Sequence, residues 1–317
     1  NNQLFDTVRG FTSGRRLFSN GDSAEAQNGS QYGMISVNDD GFTVGAGPFE
    51  ANRDGDGHVA WCWKAGGAAV SNTDGDITSS VSVNEEAGFS IATYTGSTAS
   101  GALTVGHGLG KKPAWVIIKR RDDSGEWIVG HQGLATDAFA NNKFLKLDST
   151  SSTFTNSLVW GAEPTTTVTQ IVTNGAGGAA NLTSSGTYVM YSWAEIPGFS
   201  KFGSYVGDGR NDRFSTFIYT GFRPNWVLVK GNSFAGNWNL FDTRRPGYNV
   251  TNDRLFPNLG DAETDGSDAN NQIDILSNGF KMRGSNVDTN SSGSTYIYMA
   301  FAEQPNGTIF GIDSDAR

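Results

Sequence analysis

Pro113-Ala114-Trp115-Val116-Ile117-Ile118-Lys119 and Pro224-Asn225-Trp226-Val227-Leu228-Val229-Lys230 are one phrase written twice, 111 residues apart. Each is a nearly continuous apolar run of strand length between a proline and a lysine, which predicts a central β-strand. The same offset relates Trp127 to Trp238. Upstream, Phe89-Ser90 through Tyr94-Thr95-Gly96 reads as a match to Phe214-Ser215 through Tyr219-Thr220-Gly221 at an offset of 125. The difference of 14 residues is assigned to an extra Gly-rich stretch at 103–112. Both copies close on an aromatic run before a proline, Tyr188-Val189-Met190-Tyr191-Ser192-Trp193-Ala194-Glu195-Ile196-Pro197 and Tyr296-Ile297-Tyr298-Met299-Ala300-Phe301-Ala302-Glu303-Gln304-Pro305. A proline cannot continue a ladder, so each run reads as a terminal strand.

A third, truncated copy stands at the start. Leu4-Phe5-Asp6-Thr7 repeats Leu240-Phe241-Asp242-Thr243, and Arg16-Leu17-Phe18 with Asn20 and Ala24-Glu25 repeats Arg254-Leu255-Phe256 with Asn258 and Ala262-Glu263. Asp40-Gly41-Phe42 repeats Asn278-Gly279-Phe280, two short-turn signals between strands. Val59-Ala60-Trp61-Cys62-Trp63 occupies the closing-strand position. The opening Tyr-Thr-Gly and Pro-x-Trp-Val strands of this copy are missing, and the expectation is that Asn1 is not the natural start.

The fold expected is all-β, as tandem antiparallel sandwiches of the jelly-roll or lectin-like kind. The boundaries read are a truncated first unit at 1–67, a linker at 68–87, units at 88–197 and 198–305, and a tail at 306–317. A propeller is the competing topology, but its blades repeat every 40–50 residues and this period is about twice that. Composition agrees. The 42 glycines among 317 residues supply turns at short intervals, and 12% aromatics suit pleated surfaces. No apolar pattern of helical period lasts beyond a turn or two.

The formal net charge of −9 argues against binding nucleic acid, which calls for clustered Lys and Arg. The one dense basic cluster, Lys119-Arg120-Arg121, runs straight into Asp122-Asp123 and reads as a solvated strand end. No apolar run approaches the ~20 residues of a membrane helix, so no membrane insertion is expected. Cys62 is the sole cysteine, which excludes an intrachain disulfide.

Several strings resemble a repeat family of large virion proteins from marine tailed phages. They include Gly198-Phe199-Ser200-Lys201-Phe202-Gly203-Ser204-Tyr205-Val206-Gly207-Asp208-Gly209, Phe217-Ile218-Tyr219-Thr220-Gly221-Phe222-Arg223-Pro224, and the closing run from Thr295 to Glu303 with Ala316-Arg317. His58-Val59-Ala60-Trp61-Cys62-Trp63-Lys64-Ala65-Gly66-Gly67 and Gly106-His107-Gly108-Leu109-Gly110 are similar to others in that family. The resemblance implies concanavalin-like or SPRY-like sandwiches on a tail fibre, capsid fibre or similar appendage at the virion surface. It implies homo-oligomerisation, a trimer by analogy, with other virion proteins as partners and host-surface polysaccharide as a further one. It carries over no catalytic residues.

The residues themselves nominate little chemistry. His58, His107 and His131 fall at unrelated positions of the repeat, His131 aligning with Asp242 and Asp6. Glu195 and Glu303 both sit in Ala-Glu-x-Pro, but in equivalent places of separate units, where a strand-end role is expected. Glu126 and Glu85-Glu86 have no repeat-supported partner for glycoside cleavage. Asn52-x-Asp54-Gly55-Asp56 and Asn72-x-Asp74-Gly75-Asp76 space oxygens as a Ca²⁺ loop does, without the bidentate Glu beyond, so Asp54, Asp56, Asp74 and Asp76 are candidate ligands beside a plain turn reading. Trp61, Trp63, Trp115, Trp127, Trp193, Trp226 and Trp238 are repeat-related and read as core. Trp160, in a loop-like setting, is the candidate exposed ligand contact.

The function expected is structural and adhesive, without enzymatic activity or catalytic residues, and with extended stacked units. A dedicated glycan-binding lectin predicts a shallow groove with exposed aromatics. A polysaccharide depolymerase predicts two carboxylates about 5–9.5 Å apart.

Overall fold

Trp115–Arg120 lies inside an eight-stranded antiparallel sheet, between Ile128–His131 and Thr187–Trp193. Its unbroken apolar run follows from burial on both faces. Trp115 and Ile117 enter one core cluster, while Val116 and Ile118 enter another. Trp226–Gly231 holds the same place in a four-stranded sheet, between Trp238–Asp242 and Thr295–Phe301. Trp226 and Leu228 join the first cluster; Val227 and Val229 join a third. The structure, a computed structural model, describes residues 2–29, 32–47, 51–99, 101–172, 186–264 and 272–303. Its regular elements are strands but for single helical turns such as Val287–Asn290.

Each large sheet carries a small one on its outer face. Ala102–Gly106 with Val168–Val172 covers the eight-stranded sheet, Val105 and Ile171 packing with Ala92, Val116 and Met190. Phe217–Tyr219, Gly279–Met282 and Ile273–Leu276 cover the four-stranded sheet, Phe280 and Met282 packing with Val227 and Tyr298. The inner faces of the large sheets meet in the largest cluster, where Trp127, Trp193, Trp238 and Phe301 converge. The protein is therefore an all-β, antiparallel sandwich fold, two sandwiches back to back around a shared aromatic core.

The registers correct one sequence match. Tyr94 pairs with Tyr188, the rings stacked at 5.2 Å and 14°, and Tyr205 pairs with Tyr296 at 5.0 Å and 13°. Phe89–Thr95 thus corresponds to Ser200–Val206, at the 111-residue offset of the neighbouring strand, and not to Phe214–Gly221. Tyr219 belongs to the small sheet and is 64% exposed. The stretch 68–87, read as a linker, contributes Val70–Asn72 and Ser79–Asn84 to the edge of the eight-stranded sheet.

The first segment completes the central core without forming a sandwich of its own. Gln3–Leu4 pairs with Leu17–Phe18; Leu17 is fully buried, and Leu4, Val8, Trp61 and Trp63 pack against the cluster. Val59 to Trp63, expected as a closing strand, is not one. The strand that would pair with it has no counterpart among the described residues, and an isolated extended segment has no ladder. Its aromatic end still reaches the core, with Trp63 edge-on to Trp193, Trp226 and Phe301 at 6.3, 5.3 and 5.6 Å.

Contacts among the three segments close a ring, rather than the extended stack expected. Trp127 of the second segment donates its indole N–H to Phe18 O of the first at 2.9 Å. Trp238 of the third donates to Lys146 O of the second at 3.0 Å. Asn2 of the first, at the matching position, donates through Nδ2 to Phe256 O of the third at 2.7 Å. Each segment leans on the next, and the last on the first.

Candidate functional site

His131 lies opposite Trp115 and Asp242 opposite Trp226, so both end the strand that follows the central one; Asp6 holds that place in the first segment. These three side chains carry a second ring of contacts between the same pairs of segments. Tyr191 Oη donates to Asp6 Oδ2 at 2.7 Å, Trp61 Nε1 donates to Asp242 Oδ2 at 3.1 Å, and His131 Nε2 donates to Tyr298 O at 3.2 Å. Around two of them the sequence builds the same ion triad. Arg9 pairs with Asp6 and Glu25 and also donates to Leu4 O; Arg245 pairs with Asp242 and Glu263 and donates to Leu240 O.

The electrostatics are those of structural groups. Burial alone would raise the Asp6 carboxyl, but the Arg9 guanidinium and bonds from Arg9 and Tyr191 hold it below the usual range. Asp242 is held down in the same way by Arg245. His131 Nδ1 accepts from Gly133 N–H at 2.9 Å, so the proton sits on Nε2. Burial pushes this imidazole down to about 3, and it is neutral in the fold. His107 is locked likewise, accepting from Leu109 N–H while Nε2 donates to Thr165 O, and burial lowers it to about 4. Lys119 and Lys230 are both fully buried and point their ammonium groups at main-chain carbonyls, Asp22 O and Arg120 O for one, Thr150 O and Gly231 O for the other. Burial lowers each to about 8.

The residues nominated from sequence do not assemble. Trp160, expected at the surface, is fully buried: its indole N–H donates to Lys143 O at 3.1 Å, and its ring meets Phe139 edge-on at 5.0 Å. Gly130 leaves the room, since a Cβ there would stand 2.2 Å from Phe139 and 2.9 Å from Trp160. Asp76 is committed to Thr104, accepting from its N–H at 3.0 Å and its hydroxyl at 2.7 Å, bonds that hold its carboxyl low. Asp74 closes a turn with Asn72. Asp54 and Asp56 lie exposed in a turn where Arg53 approaches Asp56 at 3.5 Å. Asn52, which began that motif, donates instead to Gly45 O, as Asn290 does to Gly284 O. No group of three His, Cys, Asp or Glu positioned for a metal occurs among the described residues. Glu195 pairs with Lys201 at 2.5 Å and Glu303 with Arg244, each at its own strand end. Glu126 pairs with Lys146.

Among the described residues there is an opening that sequence reasoning missed. A shallow depression of about 320 Å³ lies at the end of the eight-stranded sheet, lined by Ser71, Thr78, Ser80, Thr93, Thr95, Thr187 and Arg121 among others. Its lining is hydroxyl after hydroxyl, with one guanidinium that is held by Glu25 at 3.0 Å. The signal was available in Ser79–Asn84 and Phe89–Thr95, where Ser or Thr recurs at alternate positions. Such a surface can donate and accept many neutral hydrogen bonds but offers no nucleophile with a base beside it.

Over residues 1–305 the chain matches, and belongs to, a family described as a domain of unknown function, DUF7483. The matched span takes in all three segments of the ring. No curated protein and no solved structure matches it.

Proposed function

We propose that this chain is a non-enzymatic structural and adhesive protein of a tailed-phage particle, part of a tail fibre, capsid fibre or similar appendage, that presents its loops to host-surface polysaccharide. The resemblance of the Gly198–Gly209 and Thr295–Glu303 strings to virion repeat proteins supports the location. The observation that carries the adhesive part is the hydroxyl-lined depression, open on a sheet where the one lining guanidinium, Arg121, is held by Glu25 of the first segment. Multiple hydroxyls on a rigid strand surface suit a polyol ligand, because each sugar hydroxyl can both donate and accept. Partners in this reading are other virion proteins and further copies of the chain, with a trimer near three times 33.8 kDa.

A glycan array probed with the purified chain tests adhesion, and mass spectrometry of purified particles tests location. The expected result is retention of host polysaccharide that Ser80→Trp abolishes and a chelator leaves unchanged. Absence from particles together with no glycan retained would overturn the proposal, and release of reducing ends would make the protein a depolymerase.

A further inference from the structure

The second and third segments show what the first lacks. In each, the central strand lies between the closing strand and the strand ending at the His131 or Asp242 position. Five bonds tie it in place. Ala114 N–H donates to Trp193 O at 2.7 Å, and Gln132 N–H to Ala114 O at 2.8 Å. Asn225 N–H donates to Phe301 O at 2.7 Å, and Thr243 N–H to Asn225 O at 3.0 Å. Lys119 Nζ and Gly125 N–H both reach Asp22 O of the preceding segment in the ring, as Lys230 Nζ and Gly236 N–H reach Thr150 O. Finally, Glu25 N–H donates to Arg121 O at 2.8 Å, and Thr153 N–H to Asn232 O at 3.0 Å.

The corresponding groups of the first site are Trp63 O, Thr7 N–H, Gly260 O and Glu263 N–H. No described residue hydrogen-bonds to any of the four. Both walls nevertheless stand where the ring puts them. The Trp61–Asp242 bond fixes the closing segment as Tyr191–Asp6 fixes its counterpart, and the Asn2–Phe256 bond fixes Gln3–Leu4 as Trp127–Phe18 fixes Ile128–His131. In the two filled sites the corresponding walls flank the central strand and so lie two strand spacings apart, about 10 Å. Their apolar side chains Leu4, Val8, Trp61 and Trp63 are only partly buried, whereas the matching Leu240, Tyr191 and Trp193 are 4–6% exposed.

We propose that this gap is a binding groove for an extended peptide of the pattern Trp-Val-aliphatic-aliphatic-Lys, supplied by polypeptide outside residues 1–317 and held by strand addition. The occupant's chemistry is read from the two filled sites. Main-chain bonds to Trp63 O, Thr7 N–H and Glu263 N–H give affinity. The tryptophan enters the aromatic core beside Trp63, and the lysine caps Gly260 O.

Cys62 supplies the readout, being exposed and the only cysteine. Its counterparts Ser192 and Ala300 lie opposite Val116 and Val227, so it would face the valine of the bound peptide. The probe is a synthetic peptide of residues 112–121 added to the 317-residue chain. Saturating peptide should slow alkylation of Cys62 at least tenfold. With oxidised glutathione as the oxidant, a peptide with cysteine in place of the valine should form a disulfide with Cys62, and one with cysteine at the next position should not. Replacing the peptide's tryptophan by alanine should weaken binding at least tenfold. Thr7→Pro, which removes one donor at an exposed position, should weaken it several-fold. Equal protection by a scrambled peptide of the same composition, or no protection at all, would overturn the proposal. So would a chain that shields the thiol by dimerising without peptide.

Discussion

In the third segment the hairpin of Ile273–Leu276 and Gly279–Met282 is packed flat on its large sheet, with Ile273, Phe280 and Met282 fully buried and Ile275 nearly so. In the first, Met34–Asn38 and Gly41–Val44 form the same hairpin around a two-residue turn, yet Ile35, Val37 and Phe42 are 47, 53 and 38% exposed. The sequences are near equivalents, so propensity does not account for the difference. What differs is the floor. The third hairpin rests on Val227 and Val229 of the central strand, and no such strand lies under the first among the described residues. A hairpin acquires its burial from the sheet beneath it, and the same apolar letters become core or surface according to that neighbour.

The largest effect that could break this comparison is a truncation pair. Phe280→Ala removes a fully buried ring and should cost about 3–5 kcal/mol, while Phe42→Ala should cost less than about 1 kcal/mol in chemical denaturation. Equal losses would mean that the first hairpin is covered after all. Next come the paired ion triads. Arg9→Ala strands Asp6 at 3% exposure, while Glu25 keeps Arg15 and Arg121, and should cost about 3–5 kcal/mol. Arg245→Ala should cost less, because Glu263 is 40% exposed and is screened by water.

Acid should separate the position that carries histidine from the two that carry aspartate. The unfolded chain protonates His131 near 6.5, but the fold holds it to about 3. Its contribution is complete above pH 6.5 and falls by about 1.4 kcal/mol per pH unit as the pH drops toward 3. His107 acts over 6.5 to about 4. Asp6 and Asp242, held below their ordinary 3.8, begin to lose theirs only below that pH. His131→Gln should therefore reduce the slope of stability between pH 6 and 4 by about half, measured by denaturant midpoints, and leave the acid limb below 3.8. A smaller loss is expected of Trp61→Phe, which deletes a donor to buried Asp242 and should cost about 1–2 kcal/mol.

Much of this fold could be read before its coordinates. The twin Trp-Val runs declared central strands because burial on both faces demands unbroken apolar letters, and Asn278-Gly279 declared its turn. Other readings failed for definite reasons. Tyr94-Thr95-Gly96 and Tyr219-Thr220-Gly221 look alike, but only pairing to the closing strand distinguishes a large-sheet tyrosine from a small-sheet one. The better signal was Tyr94 against Tyr205, at the same 111-residue offset as the two Trp-Val runs. Trp160 sits in the loop-like stretch 156–161, and its burial depends on the space at Gly130, thirty residues away. The rings of contacts that define the site link residues up to 254 positions apart, a scale on which no local pattern operates.

That last separation has a kinetic side. The bond from Asn2 to Phe256 cannot form until the third segment has been synthesised, roughly 10–50 s later at 5–20 residues per second. Through that interval the aromatic inner face of a nascent chain waits without its final wall, and Trp61, Trp63 and Trp115 are open to any other apolar surface in the cell. A polypeptide that counts to three before it seals thus trades speed of folding for a perimeter with no loose end, and its early half is where a chaperone would be expected to hold it.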